Sequence, residues 1–195
     1  MQIEYQTLTV GPIATNCYML YLKDRSDCVI VDPGGDADRI IRMLGGRRIA
    51  AVLLTHGHFD HVLALPDLLT SGLMDADTPV CIHTLDAPML ADPTLNVSRS
   101  FLFQGLTFPA ANRTVQDGDT FEAGGMPFRV MHTPGHTAGS VCYVCAEKLL
   151  LSGDTLMALG CGRCDLPTGN EQEMVRSLQK LRPLLSTCTL LGGHG

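Results

Sequence analysis

The segment Thr55-His56-Gly57-His58-Phe59-Asp60-His61 gathers three of the chain's seven histidines and an aspartate within residues 56–61. Imidazole nitrogens and carboxylate oxygens are the donors that zinc, iron and related divalent ions accept. A His-x-His pair alone also occurs on solvated strand edges. With Asp60 and His61 added, directly after an apolar run, the segment reads as a metal-binding motif. One short loop cannot bring enough side chains together to close the coordination of one or two ions, so other ligands must come from elsewhere in the chain. A ligand-bearing residue at the end of an apolar strand, beside a glycine that allows close backbone approach, would meet that need. Three places have that form: Thr133-Pro134-Gly135-His136, Ser152-Gly153-Asp154 and Gly193-His194.

Positioning these groups falls to an alternation of strands and helices. Residues 3–10 and 17–22, separated by Gly11-Pro12, predict a hairpin, and the apolar run at 28–31 predicts a buried strand that ends in the turn Asp32-Pro33-Gly34-Gly35. Ala37, Ile40, Ile41 and Leu44 fall at i, i+3, i+4 and i+7 and predict a helix stopped by Gly45-Gly46. The continuously apolar run 49–54 is a strand covered on both faces, and it delivers the metal motif at its carboxyl end. A helix over 62–69, a strand near 80–82 and a short helix near 85–90 follow. Residues 91–112 lack a clean period and read equally as a loop over the site or as apolar surface packed on the core. Strands are predicted at 120–123, 128–133, 141–144 and 149–152. Asn170, with Glu173 at N3, opens a helix whose stripe is Met174, Leu178, Leu181 and Leu185, and a last strand covers 189–191.

At 195 residues the chain suits one domain, 1–195, with a substantial core. Hydrophobic residues make up 45% and charged residues 17%, a globular composition, and the formal charge of −6 gives no general footprint for nucleic acid. The N-terminal residues have no signal-like pattern and no run reaches the length of a membrane helix, so a soluble, cytoplasmic protein with neither nucleic-acid nor membrane partners is expected. Eight cysteines include Cys142-x-x-Cys145 and Cys161-x-x-Cys164, the spacing of a four-cysteine zinc site. The first pair lies in a strand-like run where a zinc knuckle needs a turn, and so reads as a decoy. Free thiols in a reducing compartment are expected. His83 and His132 read as packing or surface residues.

The run His56-x-His58-x-Asp60-His61, followed by His136, Asp154 and His194, resembles the full ligand set of the metallo-β-lactamase fold superfamily, and the resemblance spans essentially the whole chain. It implies an α/β fold, a four-layer αββα sandwich of two mixed β-sheets flanked by helices, with the metals at one edge. By position, His56, His58 and His136 would bind one ion, Asp60, His61 and His194 a second, and Asp154 would bridge them. The implied cofactors are two divalent ions, zinc in the first place, with iron and manganese compatible with the same donors. Asp32 is either a group that orients a ligand imidazole or a turn-forming aspartate. The family's fold ordinarily continues into a closing helix, so the resemblance implies a further C-terminal helix after His194.

Two cations that share a carboxylate lower the pKa of a bridging water toward neutrality, so Asp60 and Asp154, with a metal-bridging hydroxide, form the expected catalytic group. No Gly-x-Ser-x-Gly or Ser-x-x-Lys nucleophile motif is present. A zinc β-lactamase would commonly offer a cysteine to its second metal, where this chain has Asp154, which disfavours antibiotic hydrolysis. Gly160-Cys161-Gly162-Arg163-Cys164-Asp165 looks like the Gly-Arg-x-Asp segment of glyoxalase II-like thioesterases and their persulfide dioxygenase relatives. Arg163 would either grip a substrate carboxylate, such as that of a glutathione conjugate, or pair with Asp165 to tie down its loop. Full-length hydroxyacylglutathione hydrolases add a helical C-terminal domain, whereas this sequence stops at Gly195 and is closer to the short glyoxalase II-like proteins. The expected function is hydrolysis of a small thioester. A mononuclear iron persulfide dioxygenase, a lactone hydrolase and, at the far end, a non-catalytic metal-binding module are the alternatives. Oligomeric state leaves no mark in the sequence.

Overall fold

The computed structural model describes residues 2–195, which form two sheets packed face to face. The first has six strands in sequence order: β1 (Ile3–Val10), β2 (Thr15–Leu22), β3 (Asp27–Val31), β4 (Arg48–Leu53), β5 (Val80–His83) and β6 (Arg113–Val115). β1, β2 and β3 pair antiparallel, while β3 through β6 pair parallel, so both strand types occur in this sheet. The second sheet has the order β11-β10-β9-β8-β7, built from β7 (Thr120–Ala123), β8 (Met126–His132), β9 (Val141–Cys145), β10 (Leu149–Gly153) and β11 (Thr189–Gly192). Only β10 and β11 run parallel there.

Alternation along the strands assigns side chains to layers. Cys17 and Met19 of β2 face outward with Ile30 of β3, where α1 (Ala37–Leu44) adds Ile40 and Leu44 and α3 (Leu65–Thr70) adds Leu65 and Leu68. Their neighbours Tyr18, Leu20, Val29 and Val31 face the other way, onto Phe128, Val130, Tyr143 and Leu151 of the second sheet. On the far side, Cys142, Val144 and Leu150 pack against Leu181 of α5 (Glu171–Leu181). The result is a helix-sheet-sheet-helix sandwich, as the sequence led us to expect.

The differences in detail have local causes. The helix expected over 62–69 is two pieces, α2 (Phe59–Val62) and α3, with Pro66 in the first turn of α3. Proline suits a first turn and not a helix interior, so the break falls ahead of it and the motif residues Asp60 and His61 become helical. The stripe expected on α5 ends at Leu181: Arg182-Pro183 starts a 3-10 turn that leaves Leu185 exposed while Leu184 packs. Residues 91–112 do both things foreseen for them. Val97 and Phe108 are buried in the outer core, and α4 (Ser98–Phe101) brings Phe101 to the rim of the site. Cys142 and Cys145 sit in different clusters on opposite faces of β9, and all eight cysteines are unbridged. Among the described residues no helix is long and apolar enough to cross a membrane.

Candidate metal centre

Every ligand candidate leaves the carboxyl end of a strand or the loop just beyond it. β4 leads into His56 and His58 and on to Asp60 and His61 in α2; the β8–β9 loop holds His136; Asp154 follows β10 and His194 follows β11. These ends meet along one edge of the sandwich, and the seven side chains converge there. His56, His58 and His136 form one group, Asp60, His61 and His194 another, and Asp154 joins His56 and His61 in a third that overlaps both.

Hydrogen bonds on the outer side of the rings fix which nitrogen faces inward. Thr55 Oγ1 donates to Asp32 Oδ2 at 2.7 Å, so toward His56 Nδ1, 3.1 Å away, it can only accept. His136 Nδ1 donates to the Arg163 carbonyl at 2.7 Å, His61 Nδ1 to Asp32 Oδ2 at 2.9 Å, and His194 Nδ1 to the Ala14 carbonyl at 3.3 Å. All four therefore turn Nε2 toward the centre. His58 offers Nδ1 instead, 3.1 Å from His56 Nε2 and 2.9 Å from His136 Nε2. Ligand nitrogens on one zinc stand about 3.3 Å apart when the bonds are about 2.05 Å and the geometry tetrahedral, so this trio is close to a closed set. Asp154 reaches both groups: Oδ1 lies 3.4 Å from His61 Nε2, and Oδ2 lies 3.4 Å from His136 Nε2 and 3.6 Å from His194 Nε2. Asp60 Oδ2 stands 3.3 Å from His61 Nε2 and 3.4 Å from His194 Nε2, and Thr15 Oγ1 donates to it at 3.0 Å.

The electrostatics suit a cation. Burial, reinforced by the neighbouring imidazoles, drives His56 well below the usual histidine range and His58 down to about 3, which keeps both neutral and able to donate a lone pair. Burial opposes charge on His61 and on Asp60 as well, but the surrounding carboxylates hold His61 well above its ordinary value and His61 and His194 hold Asp60 well below its own. A proton on His61 thus stands where a cation's charge would otherwise satisfy Asp32, Asp60 and Asp154. Among the described residues, His61 Nε2 and Asp154 Oδ1 are buried polar atoms without a hydrogen-bond partner, and they face each other across the centre. Inward lone pairs, unpaired carboxylate oxygen and near-ligand spacing together fit a pair of divalent ions.

The family model described as the metallo-beta-lactamase superfamily matches residues 10–194. The chain belongs to this superfamily. It is 34% identical to the probable metallo-hydrolase YqgX of Bacillus subtilis, over 99% of this chain and 90% of that protein. It is 28% identical to the hydroxyacylglutathione hydrolase GloC of Haemophilus influenzae, over 99% of this chain and 91% of GloC. Among solved structures, the BLEG-1 B3 metallo-beta-lactamase superposes with a TM-score of 0.90 at 36% identity, covering 98% of this chain and 92% of that one. Membership establishes a metallo-hydrolase fold that binds divalent metals, and leaves the substrate open.

The other expected site residues lie close by. Asp32 holds His61, and its second oxygen accepts the Thr55 backbone N–H at 2.8 Å, so it joins the turn after β3 to the ligand loop. Arg163 is exposed and forms two 2.6 Å contacts with Asp165, while its carbonyl holds His136. It also borders a cavity of about 270 Å³ beside the ligands, walled by Ile13, Phe59, Val97, Phe101, Met157 and Leu166. His83 and His132 stay outside the centre and stack on each other, with ring centroids 4.2 Å apart. Two contributors escaped the sequence reading: Thr15 and Thr55. Thr55 directly precedes the motif and could have been suspected as a hydroxyl partner. Thr15 carries no local signal, since it acts across a fold contact.

Proposed function

We propose that this protein is a binuclear metal-dependent hydrolase of small thioesters, similar to hydroxyacylglutathione hydrolases. The observation that carries the reading is Asp154, whose two oxygens reach toward the three-histidine group and toward the Asp60, His61 and His194 group at once. Two divalent ions, zinc in the first place, would supply Lewis acidity at a scissile carbonyl and lower the pKa of a shared water toward neutrality. The residues' own share is placement. His56, His58 and His136 would hold one ion, and Asp60, His61 and His194 would hold the other. Thr15 steadies Asp60, and Asp32 fixes the His61 ring so that Nε2 points inward.

Substrate enters along the apolar cavity, whose walls exclude water around a small acyl group while its floor is the ligand cluster. Arg163 stands at the rim. Its pair with Asp165 is solvent-exposed, so exchanging that partner for a substrate carboxylate costs little. Likeness to GloC favours a hydroxyacyl-glutathione, and likeness to the BLEG-1 β-lactamase favours a second reading, β-lactam opening, in which the same residues would present a strained amide to the chemistry the ions supply.

One experiment separates them. Metal content is measured on purified protein, followed by thiol release from S-lactoylglutathione and ring opening of a chromogenic cephalosporin. Two equivalents of metal and thiol release that disappear in Asp154→Ala are expected. Cephalosporin turnover without thiol release would select the second reading. One iron per chain with oxygen uptake on glutathione persulfide would replace both, and an Asp154→Ala variant with full metal and activity would remove the bridging role.

A further inference from the structure

Behind the three-histidine group lies a carboxylate that none of the roles above uses. Asp86 follows β5, is fully buried, and has no lysine or arginine partner among the described residues. Its side chain accepts three hydrogen bonds. The Gly57 backbone N–H donates to Oδ2 at 3.1 Å, the Thr137 hydroxyl donates to Oδ2 at 2.6 Å, and the Gly139 backbone N–H donates to Oδ1 at 2.7 Å. Gly57 sits between ligands His56 and His58, and Thr137 directly follows ligand His136. One carboxylate therefore ties the turn carrying two ligands to the loop carrying the third.

The backbone is fitted to this contact. A Cβ on Gly139 would stand 2.5 Å from Asp86 Oδ1, and one on Gly57 would stand 2.7 Å from Met89 Cβ and 3.0 Å from the Asp86 carbonyl. Glycine at both positions lets the loops close on the carboxylate. A buried carboxylate with only neutral donors is also short of compensating charge, because burial raises its pKa and the three donors offset this only in part. A divalent cation held by His56, His58 and His136 would lie just beyond Gly57 and Thr137 and would supply that charge.

We infer that Asp86 is a positioning residue for the first metal: it sets the approach of the His56–His58 turn to the His136 loop and adds negative charge behind the ion. The inference rests on the binuclear reading above. It predicts that removing the carboxylate weakens one metal equivalent selectively, by 10- to 100-fold, the range found when groups that orient ligands are lost.

The test is metal titration by competition with a chromogenic chelator, on wild type, D86N, D86A, T137V and T137S, with D86N repeated in an H194A background that keeps the three-histidine group. Cobalt(II) absorption of each loaded variant reports coordination geometry. Expected results are two equivalents in wild type, one of them weakened 10- to 100-fold in D86N and D86A, and the single equivalent of H194A weakened as much by D86N. T137V should lower the same equivalent less, T137S should restore it, and the cobalt spectrum should change in D86N and D86A. If the Asp86 variants do not fold, T137V against T137S decides, because Thr137→Val removes one donor and leaves the carboxylate. Two equivalents within twofold of wild type in D86N, or in T137V where Asp86 variants are insoluble, would overturn this assignment alone. A wild-type protein that binds no divalent ion would overturn the metal-centre reading and the assignment with it.

Discussion

His83 shows how burial beside a like group can make one side chain sensitive to pH. It is 6% exposed, stacks on His132, and burial and then that neighbour lower its pKa to about 4 from an ordinary 6.5. Between those values the unfolded chain takes up a proton that the folded chain refuses, so the stability tied to His83 is complete above pH 6.5 and falls as pH drops toward 4. In chelator-treated protein, moving from pH 7 to pH 5 should cost wild type on the order of 1 to 2 kcal/mol more than His83→Asn, read from urea midpoints at both pH values. Equal losses in the two proteins would show that His83 does not titrate in this way. At the same scale the seven side chains that converge at the candidate centre were readable from sequence, because residue type and spacing carry their chemistry. Thr15 and Asp86 were not: a hydroxyl that steadies Asp60 from 45 residues away and a carboxylate that gathers donors from Gly57 and Gly139 exist as partners only once the sheets have formed.

At the scale of elements, α5 links helix capping to the metal loop. Asn170 Oδ1 accepts the Glu173 N–H at 3.0 Å, as the capping pattern foretold, and the Asn170 N–H donates to the Gly135 carbonyl at 2.8 Å. Ser177 Oγ donates to the Pro134 carbonyl at 2.7 Å, so the first two turns of the helix brace the loop that presents His136. Asn170→Ala should cost about 1 kcal/mol in chemical denaturation. Because the backbone contact survives the substitution, metal content should stay at the wild-type level; metal loss at unchanged stability would contradict this division of labour. Strong periods made α1, α5 and the buried strands legible, whereas β6 was missed. It has only three residues, Arg113 and Thr114 are exposed, and its pairing with β5 comes entirely from tertiary contact. The split between α2 and α3 was equally hidden, since the apolar pattern continues through a break that Pro66 sets.

For the whole molecule, the sheet-to-sheet interface and the metal edge are one construction. Tyr143, fully buried between the sheets, donates its hydroxyl to the Leu54 carbonyl at 3.1 Å, one residue before the ligand loop begins at Thr55. Tyr143→Phe should lower stability by about 1 kcal/mol in urea denaturation, with the far-UV spectrum unchanged; no loss would mean that water replaces the bond. A second fastening sits at the opposite strand end. The Asn16 N–H donates to the Gly193 carbonyl at 2.7 Å and the Tyr18 hydroxyl to the Gly192 carbonyl at 2.6 Å, so β2 of one sheet clasps the end of β11 of the other, beside His194. That clasp joins segments near the two ends of the 195 residues, and it imposes an order in time. The three-histidine half can gather once β9 has paired, but the other half waits until β11 has docked across the sandwich. Contacts of such long sequence separation form late. On the proposed binuclear reading, the chain would therefore acquire a one-ion state before a two-ion state during synthesis, and the second ion would be captured only by molecules whose sheets have closed, making its uptake a chemical record of completed folding.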